Sequence, residues 1–176
     1  MRSVQNPVWV ELLQLVPVVS FALPFVLHGS VDLSRAAGGF LIGGCLALAV
    51  SLLIVLRKQV LNPISVGAGL WLAGGALAFN VPLPPLAAWL VVAGEGGLFL
   101  MALAVGLPAL LFSPYGYVGA RTSDQAWLRQ SSLLLLLATL LTVAWAFWFR
   151  GNIRLGGGLP FIALNATRRL LVRRAP

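Results

Sequence analysis

The chain has little of the chemistry on which most enzymes depend. Its 176 residues include one cysteine, one histidine and four acidic residues, and only 9% of them are charged. A single cysteine excludes an intrachain disulfide and dithiol redox chemistry. The single histidine, His28, excludes bis-histidine haem ligation, and together with Asp32 it falls short of the three protein ligands of a catalytic zinc ion. We therefore expect no enzymatic activity, no metal site and no resident cofactor.

Apolar residues dominate what is present. They make up 60% of the chain, whereas soluble domains average about 45–50%. Such a composition leaves too few polar groups to cover a water-facing surface. We therefore expect an integral membrane protein in which residues 1–176 form a single transmembrane domain, with no soluble domain.

Six apolar runs are candidates for membrane-spanning helices. Because about 20 apolar residues cross the hydrocarbon layer, we predict spans at residues 8–27, 36–56, 64–79, 86–112, 132–149 and 155–172. The last run is apolar only as far as residue 166, so a five-span bundle whose last helix lies at the interface is the alternative. Either count predicts an all-α, polytopic membrane helix bundle.

The basic residues lie in the gaps between these runs. With six spans and a cytoplasmic N-terminus, nine of the twelve bases fall on the cytoplasmic side, which agrees with the positive-inside rule. This distribution predicts that both termini are cytoplasmic, and it makes membrane lipids rather than nucleic acid the partner of the charge. The residues expected at lipid headgroups are Arg57, Lys58, Arg168, Arg169, Arg173, Arg174 and Trp127.

Glu95 is the one acid predicted to lie deep within an apolar run. An ionised carboxylate there costs about 2.5–3.5 kcal/mol on insertion scales, so a partner or a function is expected for it. One hypothesis makes Glu95 a proton or cation relay, or a contact for a substrate. The alternative makes it a packing residue that is hydrogen-bonded to Gln14, Asn80 or a tryptophan indole.

Small residues recur at four-residue spacing, which allows the backbones of membrane helices to approach closely. The pairs are Gly39 with Gly43, Gly69 with Ala73, Gly74 with Ala78, Ala93 with Gly97, and Ala102 with Gly106. We expect these pairs either to pack the bundle or to dock it onto other integral membrane proteins, with lipid or pigment bound at such an interface. Similar glycine-rich stretches at residues 64–70 and 153–159 also raise the hypothesis of a 3+3 internal repeat.

Several short motifs resemble those of bacterial inner-membrane septation proteins of the intracellular septation A type. They are the segment at residues 12–19, Asp32 before the second run, Leu56-Arg57-Lys58 before the third, Trp127, and Ala146-Phe147-Trp148 at the end of the fifth. The chain departs from that family at residues 141–144, where the family tends to carry an asparagine, and at residues 156–160. The resemblance implies a multi-pass protein of the bacterial inner membrane that interacts with the envelope-synthesis and division machinery.

Three functions are candidates, and we favour the two that act through helix–helix contacts, with transport as the alternative. The first is a non-enzymatic scaffold of the septation type. The second is an accessory subunit of a photosynthetic or respiratory complex, which would also act through helix–helix contacts. The third is a small-molecule transporter or the substrate-binding subunit of one, with Glu95 in the pathway.

Overall fold

The structure is a computed structural model that describes residues 7–28 and 33–176. For residues 24–28 and 33–35 it describes the backbone alone. Asp32 and the side chains of His28 and Arg35 therefore lie outside the described part of the chain.

Every regular element in the described ranges is helical. The α-helices are α1 (Val8–Leu13), α2 (Val16–His28), α3 (Leu33–Leu56), α4 (Pro63–Asn80), α5 (Pro84–Ala93), α6 (Gly96–Phe112), α7 (Gln125–Trp148) and α8 (Leu159–Arg173). A π-helical turn, Ile153–Gly158, leads directly into α8. The expected all-α class is confirmed.

Three helical segments are long and apolar enough to cross a membrane, namely Ala36–Leu56, Pro63–Asn80 and Gln125–Trp148. A fourth is added when α5 and α6 are counted as one broken span, and Val8–Leu23 is a shorter apolar helix. The structure therefore contains three to four candidate spans. The count of six remains a prediction.

Three of the predicted runs are not continuous α-helices. Residues 86–112 divide into α5 and α6, whose axes bend by 103°, at Gly94, which has φ +52° and ψ −137°. Glycine adopts this backbone conformation without a side-chain clash. Residues 8–27 divide at Gln14 and Leu15, where Pro17 removes a backbone donor from the start of α2. Residues 155–172 begin as the π-helical turn.

The helix predicted at residues 132–149 begins earlier in the structure than the apolar run does. Helix α7 begins at Gln125 because the Asp124 carboxylate accepts a hydrogen bond from the Trp127 N–H at 2.9 Å and caps the helix. Hydropathy alone missed this first part because it contains polar residues such as Arg129.

Helix α4 lies between α3 and α6. Gly75 of α4 faces the ring of Phe40 on α3, and Gly67 faces the backbone of Ala102 on α6. Gly97 of α6 packs against Trp71, so the order of contacts along α4 and α6 is antiparallel. These close approaches account for part of the predicted small-residue packing and form the centre of the bundle.

The proposed internal repeat is not confirmed. Residues 64–70 lie within the regular helix α4, whereas residues 153–158 form the π-helical turn. Both segments start at an asparagine cap, because Asn62 accepts from the Ile64 N–H and Asn152 accepts from the Leu155 N–H. The resemblance between the two stretches therefore extends to the caps but not to the helices that follow.

The middle of the connection between α6 and α7, residues 116–120, is buried, whereas both of its ends contain exposed residues. Tyr117 and Val118 are fully buried, and the Tyr117 hydroxyl lies 3.0 Å from the Thr139 hydroxyl of α7. The ring of Tyr117 also packs against Gly106 of α6. This segment closes one end of the bundle.

The contact between α4 and α6 can be tested with a matched pair of substitutions. Gly67→Ala places a methyl group on the Ala102 backbone and should destabilise the protein by about 1–3 kcal/mol. Gly74→Ala, on the same helix, adds its methyl group where nothing lies within 4 Å and should be neutral or slightly stabilising. Unfolding in mixed micelles measures both. Equal effects would contradict the packing described.

The burial of Tyr117 predicts a pH dependence of stability. Burial raises the pKa of its phenol from 10.0 to about 12, although the hydrogen bond with Thr139 lowers it. The unfolded chain then ionises first, so stability is constant below pH 10 and falls by about 2–3 kcal/mol as the pH rises to about 12. Tyr117→Phe should abolish this loss, measured as the unfolding free energy against pH. The exposed control Tyr115→Phe should retain it; a loss unchanged in Tyr117→Phe would refute the assignment.

Candidate functional site

A cavity of about 500 Å³ lies between α2, α3, α4, the junction of α5 and α6, and the start of α8. Ligand sites for small molecules typically occupy about 300–1,000 Å³ and have mostly apolar walls with a few polar groups. Here the walls are apolar apart from Glu95 and Arg154. The cavity therefore has the size and lining of a binding site for a small, largely apolar molecule.

An aromatic cluster forms one wall of the cavity. The ring of Phe40 lies 4.6 Å from that of Phe21, 4.9 Å from that of Trp71 and 5.5 Å from that of Phe79. The Phe40–Trp71 pair is edge-on and the Phe40–Phe79 pair is stacked, and aromatic pairs prefer edge-on and offset-stacked arrangements. Rings from α2, α3 and α4 thus hold the wall in a fixed shape.

Glu95 lies at the break between α5 and α6 and lines the cavity. Its Oε2 accepts a hydrogen bond from the Gly151 N–H at 3.3 Å. Among the described residues, Oε1 has no hydrogen-bond partner. Gly157 of the π-helical turn faces the Glu95 side chain, since a Cβ built there lies 3.6 Å from Cγ. The carboxylate therefore retains capacity to accept a further hydrogen bond.

The exposed ends of the broken helix are stabilised by charge. Arg150 Nη2 donates to the Val91 carbonyl at 2.6 Å, near the C-terminus of α5. Glu95 occupies the N-cap position of α6, where the helix dipole favours a negative charge. Each helix end thus has a side chain of the favourable sign.

The break lies at the level of the middle of α4. A Cβ built on Gly97 would lie 2.7 Å from Trp71 Nε1. Trp71 is the ninth of the 18 residues of α4. Irregular backbone at such a depth in a membrane protein is tolerated where it is buried in protein or lines a cavity. Discontinuous helices at mid-depth are also how many transporters build their substrate sites.

The partners predicted for Glu95 lie elsewhere. Gln14 Oε1 accepts from the Asn62 N–H at 2.6 Å, and the Asn80 side chain donates to the Ala76 carbonyl at 2.8 Å. Trp71 Nε1 is buried without a hydrogen-bond partner in the described part of the chain. The structure brings Glu95 together with Gly151 instead, a backbone contact that no sequence pattern indicates.

Most of the predicted small residues pack inside the chain. Gly43 faces Leu72, Gly69 faces Ala47, Gly97 faces Trp71 and Gly106 faces Tyr117. Of the remaining members of the set, Gly39, Ala78, Ala93 and Ala102 are buried and Ala73 is partly buried next to Gly44. Gly74 is the exception, because nothing lies within 4 Å of a Cβ built there.

The residues expected at lipid headgroups divide into two groups. Arg57, Lys58, Arg173 and Arg174 are exposed and Trp127 is partly buried. Arg168 is only 2% exposed, and its Nε donates to the Val118 carbonyl at 2.9 Å. Glu11 lies 3.3 Å from Arg168 and 2.9 Å from Arg169. The guanidinium of Arg168 therefore lies within the protein rather than at a headgroup.

Asn62 and Asn165, which were not predicted as site residues, extend the contact between Glu11 and Arg168 into a polar cluster. Asn62 Nδ2 donates to Asn165 Oδ1 at 2.9 Å, and Asn62 also bonds Gln14 through its backbone N–H. We call Glu11, Gln14, Asn62, Asn165 and Arg168 the terminal polar cluster. A signal for it was present, because Asn165 is a lone amide in an apolar run and Asn62 precedes Pro63 at a helix start.

No family model matches this chain, and no curated protein or solved structure is similar enough to it to indicate a relationship. The functional argument therefore depends on the geometry of the cavity and on the charges around it.

Loss of the Glu11 carboxylate should leave the buried Arg168 without a countercharge. Glu11→Gln is expected to cost about 3–5 kcal/mol of stability, the usual effect of removing one partner of a buried ion pair. The exposed control Arg173→Gln should change stability by less than about 0.5 kcal/mol. Unfolding in mixed micelles measures both, and a Glu11→Gln effect as small as that of the control would contradict the pairing.

Proposed function

We propose that the protein is a membrane-embedded binding protein for a small, largely apolar molecule, acting as a transporter or as the substrate-binding subunit of one. The observation that carries this proposal is the break at Gly94 and Glu95, which opens onto the cavity of about 500 Å³. A break that served packing alone would be filled by side chains. Here it is lined by apolar walls and by one carboxylate with spare acceptor capacity.

The geometry favours binding over a role as scaffold or accessory subunit. The interaction hypotheses depended on small-residue faces that could meet another protein. Four glycines of that predicted set are instead covered by side chains of the same chain: Gly43 by Leu72, Gly69 by Ala47, Gly97 by Trp71 and Gly106 by Tyr117. The cavity, in contrast, has no occupant among the described side chains.

We further propose six spans in a bacterial inner membrane, with both termini cytoplasmic. The two additional spans are α1 with α2, and the π-helical turn with α8. Support comes from contacts that gather the basic connections at one end of the bundle. Arg121 Nη2 donates to the Lys58 carbonyl at 2.7 Å, and Arg168 reaches both Val118 and Glu11. This clustering agrees with the positive-inside rule.

Filling the cavity should abolish binding. Ala22 lines the cavity, and Ala22→Leu adds three carbon atoms to it, whereas Ala49→Leu makes the same change at an exposed position of α3. A bound ligand would be overpacked against the added carbon atoms, at a cost of about 1–3 kcal/mol. We therefore expect the fraction of protein that carries a ligand to fall about tenfold. Native mass spectrometry of protein released from micelles measures this fraction directly.

The Ala49→Leu control shows whether loss of the ligand is specific to the cavity. We expect wild type and Ala49→Leu to retain the same small-molecule adduct and Ala22→Leu to lose it. An adduct held equally by all three proteins, or by none of them, would refute the proposed site.

A further inference from the structure

We propose that the cavity opens sideways to the hydrocarbon of the membrane and that its occupant is one hydrocarbon chain of a membrane lipid. The opening is bounded by Val91 of α5 and by Leu159 and Ile162 of α8. This inference rests on the proposed binding function, and it specifies the class of ligand and its route of entry.

The side chains that line the cavity include a buried wall and an exposed rim. Phe40 and Trp71, which we call the inner wall, are each only 6% exposed. Val91, Leu159 and Ile162, which we call the rim, also line the cavity, yet they are 63%, 54% and 70% exposed. Each rim residue therefore has an outer face as well as a contact with the cavity, so the apolar lining continues onto the outer surface of the bundle.

The rim lies at the depth of the lipid chains. On α8, Leu159 and Ile162 precede Arg168 of the terminal polar cluster by nine and six residues, which is about 14 and 9 Å along a helix. Residues 155–166 contain no charged side chain. Val91 precedes the break at Gly94, which lies at the level of the middle of α4. Within a hydrocarbon layer of about 30 Å, the rim thus faces lipid chains rather than water.

The volume of the cavity matches a single chain. A water molecule occupies about 30 Å³ in the liquid, and a methylene group is of comparable size. A cavity of about 500 Å³ therefore holds roughly 15–20 carbon atoms. One lipid chain of ordinary length fills this space, and two chains do not fit.

A lipid chain also suits the lining better than water does. A buried water molecule needs about two to four polar partners, whereas the described walls are apolar apart from Glu95 and Arg154. A cavity without an occupant would forfeit the dispersion contacts of its lining. Glu95 is partly exposed and bonds the Gly151 N–H, so its carboxylate can stay hydrated while a chain lies against the rings.

The test asks whether a chain that remains attached to its headgroup reaches the inner wall. Full-length protein is reconstituted in phosphatidylcholine vesicles that contain a trace of phosphatidylcholine with a diazirine at the end of one 16-carbon chain. After irradiation, mass spectrometry of peptides locates the label. We expect Phe40 and Trp71 to be labelled to a similar extent as Leu52, which is 61% exposed on α3. Labelling of Leu52 without labelling of the inner wall would refute the opening.

Variants at the rim assign the route of entry. Ile162→Trp and Val91→Trp narrow the rim from its two sides, and an overpacked chain should lower labelling of the inner wall about tenfold. Ile42→Trp makes the same change at a position of α3 that is 59% exposed and does not line the cavity, and it should have no effect. A free diazirine-bearing hydrocarbon need not remain in the opening once it is bound. Its undiminished labelling of the inner wall shows that each variant is folded and its cavity intact.

The outcomes separate the inference from the function on which it rests. If Ala22→Leu loses the adduct but the lipid-attached probe does not reach the inner wall, the cavity binds a ligand and the lateral opening is refuted. Equal labelling of the inner wall in wild type, Ile162→Trp and Val91→Trp also refutes entry at this rim. If neither probe labels the inner wall and Ala22→Leu keeps the adduct as wild type does, the proposed function fails and the inference fails with it.

Discussion

The close approach of α4 to both of its neighbours is the constraint on which the rest of the structure depends. In lipid, helices gain little from burying apolar surface against each other, so contact between backbones must supply the association energy. Gly67 of α4 meets the Ala102 backbone of α6, and Gly44 of α3 meets the Ala73 backbone of α4, so α4 has such a contact on two sides. Helix α6 lies against α4 as far as Trp71, where Gly97 meets the indole. The chain before α6 leaves this line, because it turns through 103° at Gly94.

The turn creates the cavity and also the polar groups that the cavity must satisfy. A helix that stops inside a bundle leaves carbonyl and N–H groups without intrahelical partners. Arg150 binds one such carbonyl at the end of α5, and the Glu95 carboxylate lies at the positive end of the α6 dipole. These two side chains therefore stabilise the ends of the broken helix, and Glu95 also lines the cavity.

The sequence predicts the helices well and the breaks in them poorly. The bounds of α3 and α4 follow from hydropathy, from Asn62 as a cap and from Pro63 in the first turn. Hydropathy does not distinguish a straight apolar helix from a bent one, because it does not sense φ at Gly94. A signal was present in the glycines on each side of Glu95, because glycine adopts backbone conformations that other residues rarely adopt.

The polar residues show a second limit of sequence reasoning. Arg168 and Arg169 are adjacent and chemically identical, yet Arg168 is buried and Arg169 is one-third exposed at its side chain. Both arginines pair with Glu11, but Arg168 Nε also donates to the Val118 carbonyl, which comes from a distant part of the chain. Likewise, Glu95 has no polar neighbour in the sequence, and only the fold places Gly151 and Gly157 next to its side chain.

The two ends of α8 have different surroundings, and this difference suits a binding protein. At residues 165–168, amide and ion-pair contacts of the terminal polar cluster fix the helix to α1 and to the start of α4. At its beginning, the π-helical turn meets the cavity through Gly157, and the Trp145 indole holds the Leu155 carbonyl at 2.9 Å. A site works best when rigid elements support it from outside. Here the polar cluster supplies rigidity at one end and leaves the apolar space free at the other.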